Sequence, residues 1–184
     1  MNKTDTEIRF TGFGGQGIIL AGHITGKAAS IYTNLYSTLT QNYGPESRGG
    51  ASSAQLIISK NPIFYPNITH PDILVAMSQE GYSKYKDELK SGGIMIIDED
   101  LVKITGSSKD IKITGIPSTR LSEQLGKKIV ANIVMLGFFA KETNILPKDA
   151  MIEAIKTSVP PASIELNMKA FNMGFEYTAN KKTL

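Results

Sequence analysis

The chain contains no cysteine. That absence excludes disulfides, thiolate ligation of an iron–sulfur cluster by this chain, and a cysteine nucleophile. Histidine is scarce: His23 and His70 are the two present, well separated and outside any HExxH-type spacing. Protein metal ligands come in clusters, so no self-contained metal centre is expected. Long apolar runs are also missing. The longest, roughly 129–140, is interrupted by Asn132 and Gly137 and falls short of the ~20 residues that span a bilayer. The opening MNKTDTEIRF carries charges but no apolar stretch, so it does not read as a secretory leader. Together these gaps predict a soluble, cytoplasmic chain with no membrane association. Nor is there a basic stripe with interleaved aromatics: lysines and arginines are scattered, and the net charge is +3. Such mild basicity suits an anionic ligand and does not call for nucleic acid.

A length of 184 residues is enough for one α/β domain with a real core. No internal repeat or Pro/Gly/Ser-rich linker divides the chain, so one domain over 1–184 is expected, its core at about 7–175. Glu7-Ile8-Arg9-Phe10-Thr11 alternates polar and apolar residues and reads as a first strand. It runs into Gly12-Phe13-Gly14-Gly15-Gln16-Gly17. A helix follows, with Ile18, Ala21, Gly22, Thr25 and Ala29 on one stripe. The small residues in that stripe let a helix lie close to a sheet. The segment Tyr36 to Tyr43 leads to the loop Gly44-Pro45-Glu46-Ser47-Arg48-Gly49-Gly50. Strands are expected at Ala54 to Ser59, Ile73 to Met77, Ile94 to Ile97 and Ile111 to Thr114. Helices are expected at Gln79 to Lys90, Ser118 to Leu125, Lys127 to Thr143, Lys148 to Lys156 and Ser163 to Met173. Short apolar strands separated by helices predict an α/β fold: a Rossmann-like open sheet, single and mostly parallel, with helices on both faces. Ligands in such sheets sit beyond the carboxyl ends of the strands. The glycine turn and Asp98 both fall at such ends. Whether the 44–50 loop joins them is not visible in the sequence.

Gly12, Gly14 and Gly17 have the G-x-G-x-x-G spacing. Glycine tolerates positive φ in a tight turn, and without a Cβ it lets backbone N–H groups approach a phosphate. The helix that follows adds partial positive charge. A dinucleotide site also needs an acid about 20 residues further on for the ribose hydroxyls. From Ile8 to Pro45 there is no Asp or Glu, and after Arg9 in the first strand no arginine stands before Arg48 to take a 2′-phosphate instead. A Walker A loop fails too: Gly26-Lys27 is followed by Ala28, and Ala21 stands where that motif needs glycine. The turn therefore reads either as an anion cradle or as a structural turn that permits close strand–helix packing. The second loop combines glycines, a proline and an adjacent acid and base. Arg48 suits a bidentate contact to phosphate or carboxylate, with Glu46 orienting it or meeting a partner. Read alone, the loop is equally a solvated one with an incidental charge pair.

The two loops together resemble the gamma subunit, or gamma domain, of 2-oxoacid:ferredoxin oxidoreductases. Ile63-Phe64-Tyr65-Pro66, Pro71 to Met77 with Gln79-Glu80, Gly92-Gly93 with Ile97-Asp98, Ile116-Pro117, Asn132 to Gly137, and Asn167 to Phe171 extend the resemblance. It implies an enzyme that decarboxylates a 2-oxoacid on thiamine diphosphate, passes electrons through iron–sulfur clusters to ferredoxin, and delivers the acyl group to coenzyme A. Thiamine diphosphate, Mg and the clusters are expected on partner chains: alpha and beta thiamine-binding subunits and a ferredoxin-like iron–sulfur subunit. Coenzyme A is the ligand expected here, at Gly12, Gly14, Gly15, Gln16 and Gly17 together with Glu46, Ser47, Arg48 and Gly49. No catalytic residue is assigned to this chain. The Tyr-Gly-Pro-Glu form of the second loop points toward the 2-oxoglutarate, pyruvate and branched-chain enzymes, with 2-oxoglutarate the substrate chosen. Glu46 and Arg48 equally suit docking of a partner subunit. Left without its partners, the chain is expected to be able to pair with itself through a bare edge or apolar patch.

Two other readings compete. A stand-alone NAD(P)-binding oxidoreductase domain lacks the ribose-binding acid or arginine. A non-catalytic interaction protein on a nucleotide-binding fold predicts no response to coenzyme A. Tyr82 and Tyr85 are expected in or near the core. Asp98 is read as a ligand contact or as a cap, and His70 as a turn residue.

Overall fold

The computed structural model describes residues 5–42, 51–106 and 110–179. In chain order these form β1 (Asp5–Phe13), α1 (Ile18–Tyr32), β2 (Tyr36–Asn42), β3 (Ala51–Ser59), β4 (Ile73–Ala76), α2 (Gln79–Tyr85), β5 (Ile94–Asp98), β6 (Lys112–Ile116), α3 (Ser118–Gln124), α4 (Ala131–Thr143), α5 (Lys148–Lys156) and α6 (Ile164–Glu176). The strands make one six-stranded sheet in the order β2-β3-β1-β4-β5-β6. The pairs β1–β4, β4–β5 and β5–β6 are parallel. Strand β3 runs antiparallel to both of its neighbours. The β2-to-β3 connection is too short for a parallel crossover, so a reversal there is required. The sheet is the mostly parallel α/β arrangement expected from the sequence.

Both faces of the sheet are buried, which is why its central strands read as continuous apolar runs. Ile73, Val75 and Ile96 point to one face, packed with residues of α1, α4, α5 and α6. Leu74, Ala76, Met95, Ile97 and Ile113 point to the other, packed with Tyr82, Tyr85 and Leu89. The stripe Ile18, Ala21, Gly22, Thr25 and Ala29 is buried along α1 as expected. A Cβ on Gly22 would come within 2.8 Å of the Ala54 Cβ and 3.0 Å of Leu39 Cδ1, so α1 lies close to β2 and β3 because its inner face is small.

The bounds of several elements differ from the sequence reading. The helix expected over Gln79 to Lys90 ends at Tyr85, and a single 3₁₀ turn, Lys86–Glu88, follows. The break brings Glu88 to Arg9 of β1 and turns Leu89 into the core. The helix expected from Lys127 begins as a 3₁₀ turn, Lys128–Val130, and becomes α-helical at Ala131. Strand β1 reaches beyond Glu7 to Thr11 at both ends because β3 pairs with it along its whole length, from Asp5 opposite Ser59 to Phe13 opposite Ala51. The segment from Tyr36, which carried no clear period, forms the edge strand β2. Among the described residues, no helix is long and apolar enough to cross a membrane.

Candidate functional site

The glycine turn sits at the carboxyl end of β1, between α1 on one face of the sheet and α2 on the other. The chain leaves β1 first toward β3 and β2 and later returns to its opposite side as β4. The gap between the ends of β1 and β4 is therefore the point where the strand order reverses, where open α/β sheets hold ligands.

Each residue of the turn has a distinct task. Gly12 is still in β1, and a Cβ there would press on Gln16 Oε1 at 2.5 Å and Ile18 Cδ1 at 2.7 Å. Gly14 and Gly15 form the exposed tip. Gly15 has φ 93°, and the space its missing side chain leaves is open. That combination leaves room for another molecule to meet the backbone. Gln16 turns inward. Its Oε1 accepts from Phe13 N at 2.6 Å, and its Nε2 donates to Met77 O at 2.9 Å. Its amide thus bridges the ends of β1 and β4. Gly17, at φ 72°, precedes α1 and has no side-chain cap; the first turn of α1 holds no acidic residue. A helix start in that state leaves backbone donors for water or an anion.

Gly17 is also fixed from a distance. Asn132, in the first turn of α4, is buried, and its Nδ2 donates to Gly17 O at 3.1 Å. A Cβ on Gly17 would overlap the Asn132 amide. Sequence reasoning placed Asn132 in a segment similar to the family but gave it no part in the turn. The available signal was an amide inside the longest apolar run of the chain.

Glu46, Ser47, Arg48 and Gly49 lie outside the described residues. The anchors of their loop do not. Ala51, which begins β3, pairs with Phe13, and Asn42, which ends β2, pairs with Ser53. Both anchors therefore stand at the end of the sheet where the glycine turn lies. Arg48 precedes Ala51 by three residues in the sequence.

Asp98, at the carboxyl end of β5, is fully buried. Its Oδ2 accepts from Ser118 Oγ at 2.5 Å, Thr119 N at 3.0 Å and Thr119 Oγ1 at 2.8 Å, while Oδ1 accepts from Asp100 N at 3.0 Å. Of the two readings of Asp98, the structure selects the cap: it ties the start of α3 to the sheet. His70 is exposed, beside the Thr69 hydroxyl. Arg9, on β1, is buried, ion-paired with Glu88, bonded to Ile68 O at 3.1 Å, and stacked 4.4 Å from the Tyr85 ring centroid. The sequence reading gave it no such role. Tyr82 and Tyr85 are both buried, as expected.

A sequence profile of the pyruvate ferredoxin/flavodoxin oxidoreductase family matches residues 7–177. The chain belongs to this family. Among curated members it is similar to the 2-oxoglutarate synthase subunit KorC of Methanocaldococcus jannaschii, with 51% identity over 95% of this chain and 94% of that protein. The KorC subunit of Methanothermobacter thermautotrophicus is 49% identical over 96% of each chain. Among solved structures, the gamma subunit of a keto/oxoacid ferredoxin oxidoreductase from Geobacter sulfurreducens superimposes with a TM-score of 0.86, at 43% identity, covering 95% of this chain and 96% of that one. The fold just described is thus that of a solved family member over nearly its full length.

Proposed function

We propose that this chain is the gamma-type subunit of a thiamine-dependent 2-oxoglutarate:ferredoxin oxidoreductase, folded as one domain of about residues 7–175 and working in the cytoplasm. Its own task in this reading is to bind and position coenzyme A and to help assemble the complex. The substrate rests on the KorC relatives, which match over nearly their full length. Thiamine diphosphate and iron–sulfur clusters, held on alpha, beta and ferredoxin-like partners, supply the decarboxylation and the path of electrons to ferredoxin. A chain without cysteine has no thiolate to ligate a cluster, which fits that division of labour.

The observation that carries the coenzyme A reading is the convergence at the end of β1. A glycine tip with open space above it, an uncapped helix start and both anchors of an arginine-bearing loop lie there together. Coenzyme A carries a pyrophosphate, which backbone N–H groups at a helix start and an arginine are suited to hold. The proposed contacts are backbone N–H groups of Gly14, Gly15 and Gly17, since Gln16 N already donates to Phe13 O at 3.1 Å, with the Gln16 amide at the turn and charge from Arg48 within Glu46–Gly49. Because Gln16 already spans β1 and β4, the main contact falls to the backbone. The gain for the enzyme is proximity: the thiol is held where a neighbouring subunit presents its acyl group. Phe64 and Tyr65, 92% and 73% exposed, are aromatic surface of the kind that subunit interfaces cover, which supports the assembly role.

The test is Arg48→Ala in the assembled enzyme. Loss of a charge-assisted contact predicts a rise of roughly tenfold or more in KM for coenzyme A, with KM for the 2-oxoacid unchanged. An unchanged KM for coenzyme A would remove Arg48 from the site.

A further inference from the structure

The bond from Asn132 to the glycine turn has no counterpart in the functional reading above, and its chemistry is specific. It crosses 115 residues of sequence to reach Gly17 O at 3.1 Å. The same carbonyl accepts the first α1 hydrogen bond, from Ala21 N at 2.9 Å. Asn132 therefore acts on the peptide whose orientation sets the direction of the first N–H groups of α1. Its own orientation is determined as well: a carbonyl can only accept, so Nδ2 faces Gly17.

The amide is also an expensive choice at this position. Its neighbours Val130, Ala131, Ile133 and Val134 are all buried, so a leucine would bury more apolar surface. Asn132 Oδ1 is buried and finds no donor among the described residues. A buried acceptor without a partner destabilises the fold. The residue therefore fits poorly as core filling and well as a clamp. The bond also brings together the starts of α1 and α4, neither of which has a side-chain cap or an acid in its first turn. With Gln16 holding the other side of the turn to β4, the exposed tip Gly14-Gly15 is suspended between two amides.

We propose that Asn132 is a positioning residue of the coenzyme A site, holding the Gly17 peptide so that the backbone donors of the turn and of α1 are preorganised for the anionic ligand. This rests on the coenzyme A reading given above. Asn132 itself does not touch the ligand. It lowers the reorganisation needed for binding, and preorganisation of donors is where such a site gains affinity.

The experiment compares Asn132→Leu, Asn132→Asp and Gly15→Val, each in the assembled enzyme, using coenzyme A as the varied substrate. Leu matches the shape but cannot donate. Asp matches it more closely and sets an acceptor against the Gly17 carbonyl. The expected result is a rise in KM for coenzyme A of about five- to twentyfold for Asn132→Leu, the effect of one lost buried hydrogen bond, and a rise at least as large for Asn132→Asp, whose carboxylate opposes the carbonyl. KM for the 2-oxoacid, kcat at saturating coenzyme A and the subunit composition should stay as in the parent. If Gly15→Val raises KM for coenzyme A but neither Asn132 variant does, the turn binds the ligand and Asn132 does not position it. If kcat and both KM values move together, or the Asn132 variants fail to assemble, the role is structural and the proposal is wrong. If Gly15→Val and Arg48→Ala also leave KM for coenzyme A unchanged, the coenzyme A reading falls first and takes this inference with it.

Discussion

Two polar side chains at the carboxyl ends of the strands, Asp98 and Gln16, are both engaged within the fold. Asp98 is spent inside the fold: four donors converge on it. Removing its carboxylate by Asp98→Ala leaves the buried Ser118 hydroxyl and the first turn of α3 without an acceptor. A loss of roughly 2–4 kcal/mol is expected, read as a lower urea midpoint at unchanged m. A shift below ~0.5 kcal/mol would mean that water replaces the carboxylate and that the cap is dispensable. Gln16 is spent in the same way, between β1 and β4, whereas Gly14 and Gly15 keep an open face. The sequence makes the composition of the turn plain but not this sorting. A glycine packed against neighbours and a glycine with open space above it look alike until the neighbours are known. Gly12 and Gly17 turn out to face Gln16 and Asn132. Asn132 is 115 positions away from its carbonyl, and no local pattern reports such a contact.

Among the elements, α4 and α6 approach each other backbone to backbone. A Cβ added at Gly137 would fall on the Phe171 carbonyl, and one at Gly174 on the Val134 carbonyl. Backbone cannot swing aside as a side chain can, so the helices would have to separate. Alanine is the better helix former by about 1 kcal/mol, and for an exposed glycine that gain would prevail. Here overpacking is expected to outweigh it, and Gly137→Ala should destabilise the chain by about 1–3 kcal/mol. Thermal unfolding decides the sign, and a higher Tm would show that the two backbones are not in contact. Elements buried on both sides were the legible ones: β4 and β5 read directly as Ile73 to Met77 and Ile94 to Ile97, and the small stripe of α1 as a helix lying on a sheet. β2 was not legible, because an edge strand is only half-buried and its Ser, Thr and Gln residues carry no clear period. The early end of α2 was hidden as well, since the 3₁₀ turn that replaces it is dictated by Arg9 and Leu89 meeting partners far along the chain.

Across the whole molecule, the direction of β3 decides which end of the sheet its first residue reaches. Its reversed direction carries the start of β3, and with it the end of the arginine-bearing loop, to the carboxyl end of β1. A parallel β3 would deliver that loop to the opposite end of the sheet. Both loops are visible as motifs in the sequence, but that the anchors of the second lie at the glycine-turn end of the sheet depends on a strand direction that the sequence leaves open. As the gamma subunit of a 2-oxoglutarate enzyme, and not a free-standing nucleotide-binding protein, the chain should be found in its cell bound to partner subunits. The direct measurement is to tag the chain in its native cell, purify it gently without oxygen, and assay coenzyme A-dependent dye reduction with 2-oxoglutarate, pyruvate and a branched 2-oxoacid in parallel. The expected result is a brown multi-subunit complex that turns over 2-oxoglutarate in preference to the other two. A colourless chain that elutes alone and inactive, with all partners shown to be expressed, would contradict it.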